Sequence, residues 1–219
     1  MNNDIDISNW SFASIPSDIP EAWTDVLTGT RITKNETLRI IVDRFSHFPN
    51  TFLKIMGFDK IDTSLITDMS YLFKHGRDMS YSILDPFGNP IILQKHTNNA
   101  FEVDPKTGKR KQIFFGFNFD ISTQKLITRA DGTTYRAWDV SNVTNMEGMF
   151  DGCDNFNIDL SSWDVSNVEN MKNMFKGCKK FNKNLSNWNT KNVKNIESIF
   201  EECENLSNIG MMYWNTKNV

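Results

Sequence analysis

The sequence predicts an α+β repeat fold: a solenoid of short stacked units with an N-terminal helical cap and a β-hairpin insertion. Three observations predict it. Tryptophan recurs at 138, 163, 188 and 214 at the head of closely similar strings. Cysteine occurs only at 153, 178 and 203, in step with the tryptophans. A β-prone stretch without that period separates these copies from a fainter one upstream.

The cap is assigned to residues 1–57. Thr33 and Glu36 form a T-x-x-E capping-box pattern, and Leu38, Ile41, Phe45 and Phe48 then share one helical face before Pro49. The end of a stack of repeats needs such a cover for its apolar surface. Residues 58–75 read as a degenerate first repeat. Ile61-Asp-Thr-Ser-Leu-Ile-Thr-Asp-Met-Ser-Tyr-Leu-Phe73 aligns with residues 138–150, keeping Asp, Ser, Thr, Met and Phe in register. Ile5-Asp-Ile-Ser-Asn-Trp10 also echoes residues 158–163.

Residues 76–137 form the insertion. Short β-prone runs (Pro90-Ile-Ile-Leu, Ala100-Phe-Glu-Val, Lys111-Gln-Ile-Phe-Phe-Gly-Phe-Asn-Phe119, Lys125-Leu-Ile-Thr and Thr133-Thr-Tyr-Arg) alternate with turn formers. Those turn formers are Asp85-Pro-Phe-Gly-Asn-Pro, Asp104-Pro-Lys-Thr-Gly and Asp131-Gly132. The pattern predicts two or three hairpins, inserted into the stack or laid beside it.

Residues 138–219 hold three regular copies and the start of a fourth, at a period of about 25 residues, within the solenoid range. Val143, Met146, Met149, Phe150 and Cys153 fall on one face of a short helical turn, and Val168, Met171, Met174, Phe175 and Cys178 repeat it. Phe156, Leu160 and Trp163 mark an extended return. One unit cannot bury its own apolar face, whereas stacked copies bury a continuous core with Trp over Trp and Cys over Cys. The recurring asparagines, 145, 170 and 195 in one column and 142, 167, 192 and 218 in another, are expected to bond turn backbone groups.

The string W-D-V-S-N-V-x-N-M-x-x-M-F-x-x-C-x-x-F-N resembles the BspA-type leucine-rich repeat family, whose units also occur in mycoplasma-type lipoproteins. The resemblance is clear over residues 138–219 and weaker over 33–73. It implies a leucine-rich-repeat-like right-handed solenoid of short strands and helical turns. It also implies a surface protein used in adhesion or protein binding, without catalytic residues. The inserted segment is a departure from ordinary members of that family.

Composition narrows the function classes. The net charge of −3 argues against a dedicated nucleic-acid binder. No stretch approaches the roughly 18 apolar residues of a membrane span. The N-terminus, Met1-Asn-Asn-Asp-Ile-Asp6, has no basic segment followed by an apolar one, so the chain reads as cytoplasmic as written, or as cell-surface or secreted if a signal was removed. Evenly spaced cysteines remote from His47, His75 and His96 suit neither a disulfide framework nor a zinc site.

No phosphate-loop, dinucleotide, metalloprotease or nucleophile-elbow motif occurs. Ser122-Thr-Gln-Lys125 and Lys106-Thr-Gly108 superficially match S-x-x-K and K-T-G elements, but in reversed order and with no S-D-N between them. Asp151, Asp154 and Asp159 would suit calcium, but the next copy has Lys176, Lys179 and Asn184 at those positions. The expectation is therefore a protein–protein interaction module with no catalytic residue, cofactor or metal. Partner contacts are assigned to the basic turn Lys106, Lys109, Arg110 and Lys111 and to Phe115 and Phe117 of the adjoining aromatic run. Self-association through an open C-terminal edge is a further expectation. The alternatives are a small intracellular inhibitor or adaptor, as a phage or mobile element encodes, and an enzyme with its site on the insertion.

Overall fold

The computed structural model describes residues 27–29, 31–45, 53–54, 57–74, 83–84, 90–91, 100–103, 110–113, 119–122, 124–207 and 210–219. Its helix α1, Asn35–Phe45, buries Leu38, Ile41 and Val42. Arg39 pins it to the next segment, donating to the Ser70 carbonyl, to Ser70 Oγ at 3.0 Å and to Asp68 at 3.4 Å. Phe48, the last residue of the expected apolar face, lies outside the described residues.

From Arg31 onward the chain is joined by parallel bridges. Arg31 pairs with Asp62, Asp68 with Asn145, Asn145 with Asn170 and Asn170 with Asn195. Residues 61–74 thus form an upstream coil, followed by a first (138–162), second (163–187) and third (188–213) coil. The upstream, first and second coils each repeat the same bonds to the coil that follows. Met69, Met146 and Met171 N–H donate to the Asn145, Asn170 and Asn195 carbonyls, and Phe73, Phe150 and Phe175 N–H to Met149, Met174 and Ile199. The turn position held by Gly148 has φ of 57°, and Tyr71, Asn173 and Ser198 hold it at 55°, 56° and 53°. The left-handed turn therefore belongs to the coil rather than to glycine. At Gly148 a Cβ would come within 2.4 Å of the Tyr71 ring, which explains the residue there.

Side chains one repeat apart consequently lie over one another. The rings of Phe73, Phe150, Phe175 and Phe200 stack at successive spacings of 5.5, 5.6 and 5.4 Å, all within 10° of parallel. Phe156 over Phe181 and Trp188 over Trp214 make further columns. Beside them, the thiols of Cys153, Cys178 and Cys203 donate to the Phe73, Phe150 and Phe175 carbonyls at 3.0–3.2 Å. A thiol suits that place because it is small, apolar and still able to donate a weak hydrogen bond. Burial pushes the Cys178 thiol far up and the Cys203 thiol up to about 11, so neither is a nucleophile near neutrality.

The polar columns satisfy turns. Asp68, Asn145, Asn170 and Asn195 accept through Oδ1 from the N–H two residues on. Asn142, Asn167, Asn192 and Asn218 each donate through Nδ2 to a carbonyl of the preceding coil at 2.7 Å. These asparagines serve the backbone of turns that no regular ladder completes.

Between the upstream and first coils lie three antiparallel pairs: β1 (Ile83–Leu84) with β2 (Pro90–Ile91), β3 (Ala100–Val103) with β4 (Arg110–Ile113), and β5 (Leu126–Thr128) with β6 (Thr134–Arg136). Asp131-Gly132 turns the last, Asp131 accepting from Thr133 N–H and Gly132 adopting φ of 81°. Phe119 and Ile121, within the stretch read as inserted, belong to the shared core, Phe119 edge-on to Phe58 at 5.5 Å.

One register defect accompanies this re-entry. Trp138, Trp188 and Trp214 Nε1 donate to the Phe58, Leu160 and Leu185 carbonyls, whereas buried Trp163 Nε1 has no acceptor among the described residues. Trp163→Phe is therefore expected to cost less stability than Trp188→Phe, by about 1 kcal/mol, because only the second breaks a made hydrogen bond. Equal losses in denaturant unfolding would contradict the assignment.

Candidate partner-binding surface

Of the residues chosen from the sequence as partner contacts, Lys106, Lys109, Phe115 and Phe117 lie outside the described residues. Arg110 and Lys111 stand on β4, in register with Val103 and Glu102 of β3. His47, His75 and His96 are also outside the described residues.

The described part offers a different surface, a flank where charged side chains alternate in sign from coil to coil. The first coil carries Glu147, Asp151 and Asp154; the second carries Lys172, Lys176 and Lys179; the third carries Glu197, Glu201 and Glu204. Lys172 bonds Glu197 at 2.8 Å, Lys176 bonds Glu201 at 2.8 Å and Lys179 meets Asp154 at 3.4 Å. In a neighbouring column the sign is reversed, with Glu169 of the second coil 2.7 Å from Lys194 of the third. Lys74 of the upstream coil continues the alternation, 2.7 Å from Asp151. The hydrogen bond to Glu197 holds Lys172 above the usual lysine range, and that to Glu201 does the same for Lys176.

Tyr71 crosses the same flank. Its hydroxyl donates to Glu147, and Lys74 lies 5.2 Å above its ring. That hydrogen bond, then burial and the charges of Glu147 and Asp151, push the phenol up to about 12. A raised folded-state pKa means that the folded chain holds this proton more tightly than the unfolded chain. The stability it contributes is complete below pH 10 and is lost as pH rises from 10 through about 12. An alkaline unfolding series should show that decline weakened in Tyr71→Phe; identical profiles would contradict the Tyr71–Glu147 bond.

A polar cluster gathers around Asp62 at the start of the upstream coil. Asp62, fully buried, accepts from Arg129, from Arg31 Nε at 3.2 Å and from Ser64 N–H at 3.0 Å. Arg129 also lies 4.3 Å above the Tyr135 ring, and Tyr135 donates to the Lys60 carbonyl while accepting from Gly29 N–H at 2.9 Å. These bonds tie Gly29 and Arg31, the upstream coil and the β5–β6 hairpin together.

Ser122 Oγ is bonded to Asp120 and Lys125 reaches Asp59 at 3.8 Å, so the S-x-x-K string is not a nucleophile with a base. Asp151, Asp154 and Asp159 each have their own partner (Lys74, Lys179 and Ser161 N–H). Among the described residues no group of three or more His, Cys, Asp or Glu side chains is placed to hold a metal. No described helix is long and apolar enough to cross a membrane.

Along the chain the flank forms no motif, although the exchange of Asp151 and Asp154 for Lys176 and Lys179 is part of it. The signal was present as opposite charges at offsets of 25, such as Glu147, Lys172 and Glu197, and appears only when copies are compared position by position. A second signal lay in Phe117-Asn-Phe-Asp-Ile-Ser122, which matches Phe156-Asn-Ile-Asp-Leu-Ser161 in sequence and whose Phe119 and Ile121 are buried in the shared core. Asp120 and Asp159 accept alike from the N–H two residues on. No curated protein and no solved structure matches the chain. A family model described as "Mycoplasma protein of unknown function, DUF285" matches residues 117–219, a span that opens at the first residue of that string.

Proposed function

We propose that this chain is a non-catalytic protein-binding module, a right-handed solenoid of the BspA-type leucine-rich repeat kind whose flank and inserted hairpins together hold a protein partner. The observation that carries this reading is the column geometry of the flank. Exposed side chains of successive coils stand in straight rows, held in place by repeated backbone bonds beneath them. A surface whose side chains are positioned before binding loses little conformational entropy when a partner arrives. The inserted segment, with the basic turn Lys106, Lys109, Arg110 and Lys111 beside Phe115 and Phe117, supplies what the regular repeats do not, a distinct cationic and aromatic contact.

The test is affinity capture with the intact chain from cytoplasmic and from cell-surface fractions, beside a variant with Lys106, Lys109, Arg110 and Lys111 all replaced by Ser. The reading expects one protein at stoichiometric amount with the parent chain, and loss of capture in the variant at unchanged Tm. Absence of any stoichiometric protein from both fractions would overturn it.

A further inference from the structure

We infer that the alternating charges of the flank fix the order of the coils, so that the stack tolerates the gain or loss of two coils together but not of one. The inference concerns the stack itself and holds whatever the module binds.

The core does not specify that order. Val143, Val168 and Val193 share one column, as do Phe150, Phe175 and Phe200, and Cys153, Cys178 and Cys203. The turn asparagines recur in the same way, at 142, 167 and 192 and at 145, 170 and 195. Each coil therefore offers its neighbour nearly the same apolar face and the same backbone groups. The stability of a repeat stack is a sum over neighbouring pairs. Equivalent interfaces alone do not distinguish the right neighbour from the next coil along, or from a coil of another chain.

The flank differs from coil to coil where the core does not. Glu147, Asp151 and Asp154 of the first coil align with Lys172, Lys176 and Lys179 of the second and with Glu197, Glu201 and Glu204 of the third. The second coil is tied to the third by Lys172–Glu197, Lys176–Glu201 and Glu169–Lys194 at 2.7–2.8 Å, and to the first by Lys179–Asp154 at 3.4 Å. At the upstream end Lys74 meets Asp151 at 2.7 Å and Tyr71 donates to Glu147. Pairing the first coil with the third would set Glu147, Asp151 and Asp154 against Glu197, Glu201 and Glu204. Pairing the upstream coil with the second would set Lys74 against Lys176. Like charges directly opposite disfavour a pairing, so wrong neighbours are rejected even though each correct surface pair adds only modestly. Taking out or adding two coils preserves the alternation, and one breaks it.

The test deletes residues 163–187, which joins the first coil to the third. That chain is compared with the same deletion carrying Glu197→Lys, Glu201→Lys and Glu204→Lys. The substituted deletion should melt about 5 °C or more above the unsubstituted one, a gap that shrinks as salt is raised. In the undeleted chain the same substitutions set lysine against Lys172, Lys176 and Lys179 and should lower Tm. A general effect of the substitutions would not invert in sign between the two backgrounds. Two insertions carry the comparison if neither deletion chain folds. A second copy of residues 138–187 placed after Asn187 keeps the alternation and should leave Tm at or above that of the parent chain. A second copy of residues 163–187 at the same place sets lysines on lysines and should lower it. Equal melting of the two deletion chains would overturn the inference. So would substitutions that shift Tm in the same direction in both backgrounds, or a one-coil insertion that melts as high as the two-coil insertion.

Discussion

Phe175→Ala is expected to lower the free energy of unfolding by about 3–5 kcal/mol. Its ring is fully buried at the centre of the stack, between Phe150 at 5.6 Å and Phe200 at 5.4 Å, with Phe181 stacked at 4.4 Å and Trp188 tilted at 6.2 Å. The upper end of the range applies because the site cannot collapse. Its neighbours' positions are set by the bonds between coils, so the removed ring leaves a cavity that nothing slides in to fill. Phe200 occupies the same column one coil on but is only partly buried, so Phe200→Ala should cost distinctly less. Denaturant unfolding of the two variants checks this, and equal losses would show that the column is not continuous in the way described.

Asp62→Ala is the second large effect, expected at about 3–5 kcal/mol, the scale of breaking a buried pair from one side. The substitution leaves the Arg129 guanidinium, 13 % exposed, without its carboxylate, while Arg31 is half exposed and regains water easily. It also removes the acceptor for Ser64 N–H at the turn that opens the upstream coil. Adding Arg129→Met to Asp62→Ala should recover part of the loss, because the stranded charge goes with it. If Arg129→Met costs as much in the Asp62→Ala background as in the parent chain, the two residues are not coupled and the cluster does not tie the cap, coil and hairpin together.

The core of the repeats was legible in the sequence because each buried position recurs at a fixed offset. Val143, Met146, Met149, Phe150 and Cys153 announce a face, and their counterparts 25 residues on confirm that the face is shared. The helix was legible for the same reason of periodicity, with Leu38 and Ile41 buried as the spacing required. The junction was not. Asp62 finds Arg129 across 67 residues and Tyr135 finds Lys60 across 75, distances over which neither period nor propensity carries information. The match of Phe119-Asp-Ile-Ser122 to Ile158-Asp-Leu-Ser161 was hidden by the β5–β6 hairpin, which separates it from Trp138 and so breaks the 25-residue step that made the other copies visible. The flank was hidden by the direction of reading, since its order runs across coils while motifs run along them.

The central claim is that the upstream coil and the three regular coils form one continuous stack, on which any binding flank depends. Native-state amide exchange at Met69, Met146 and Met171 tests it most directly, because these three N–H groups make the same bond from successive coils to Asn145, Asn170 and Asn195. The account predicts that all three are strongly protected and that Met69 is protected along with the other two. Exchange of Met69 at the rate of an open amide, with Met146 and Met171 protected, would contradict it and confine the stack to residues 138–219.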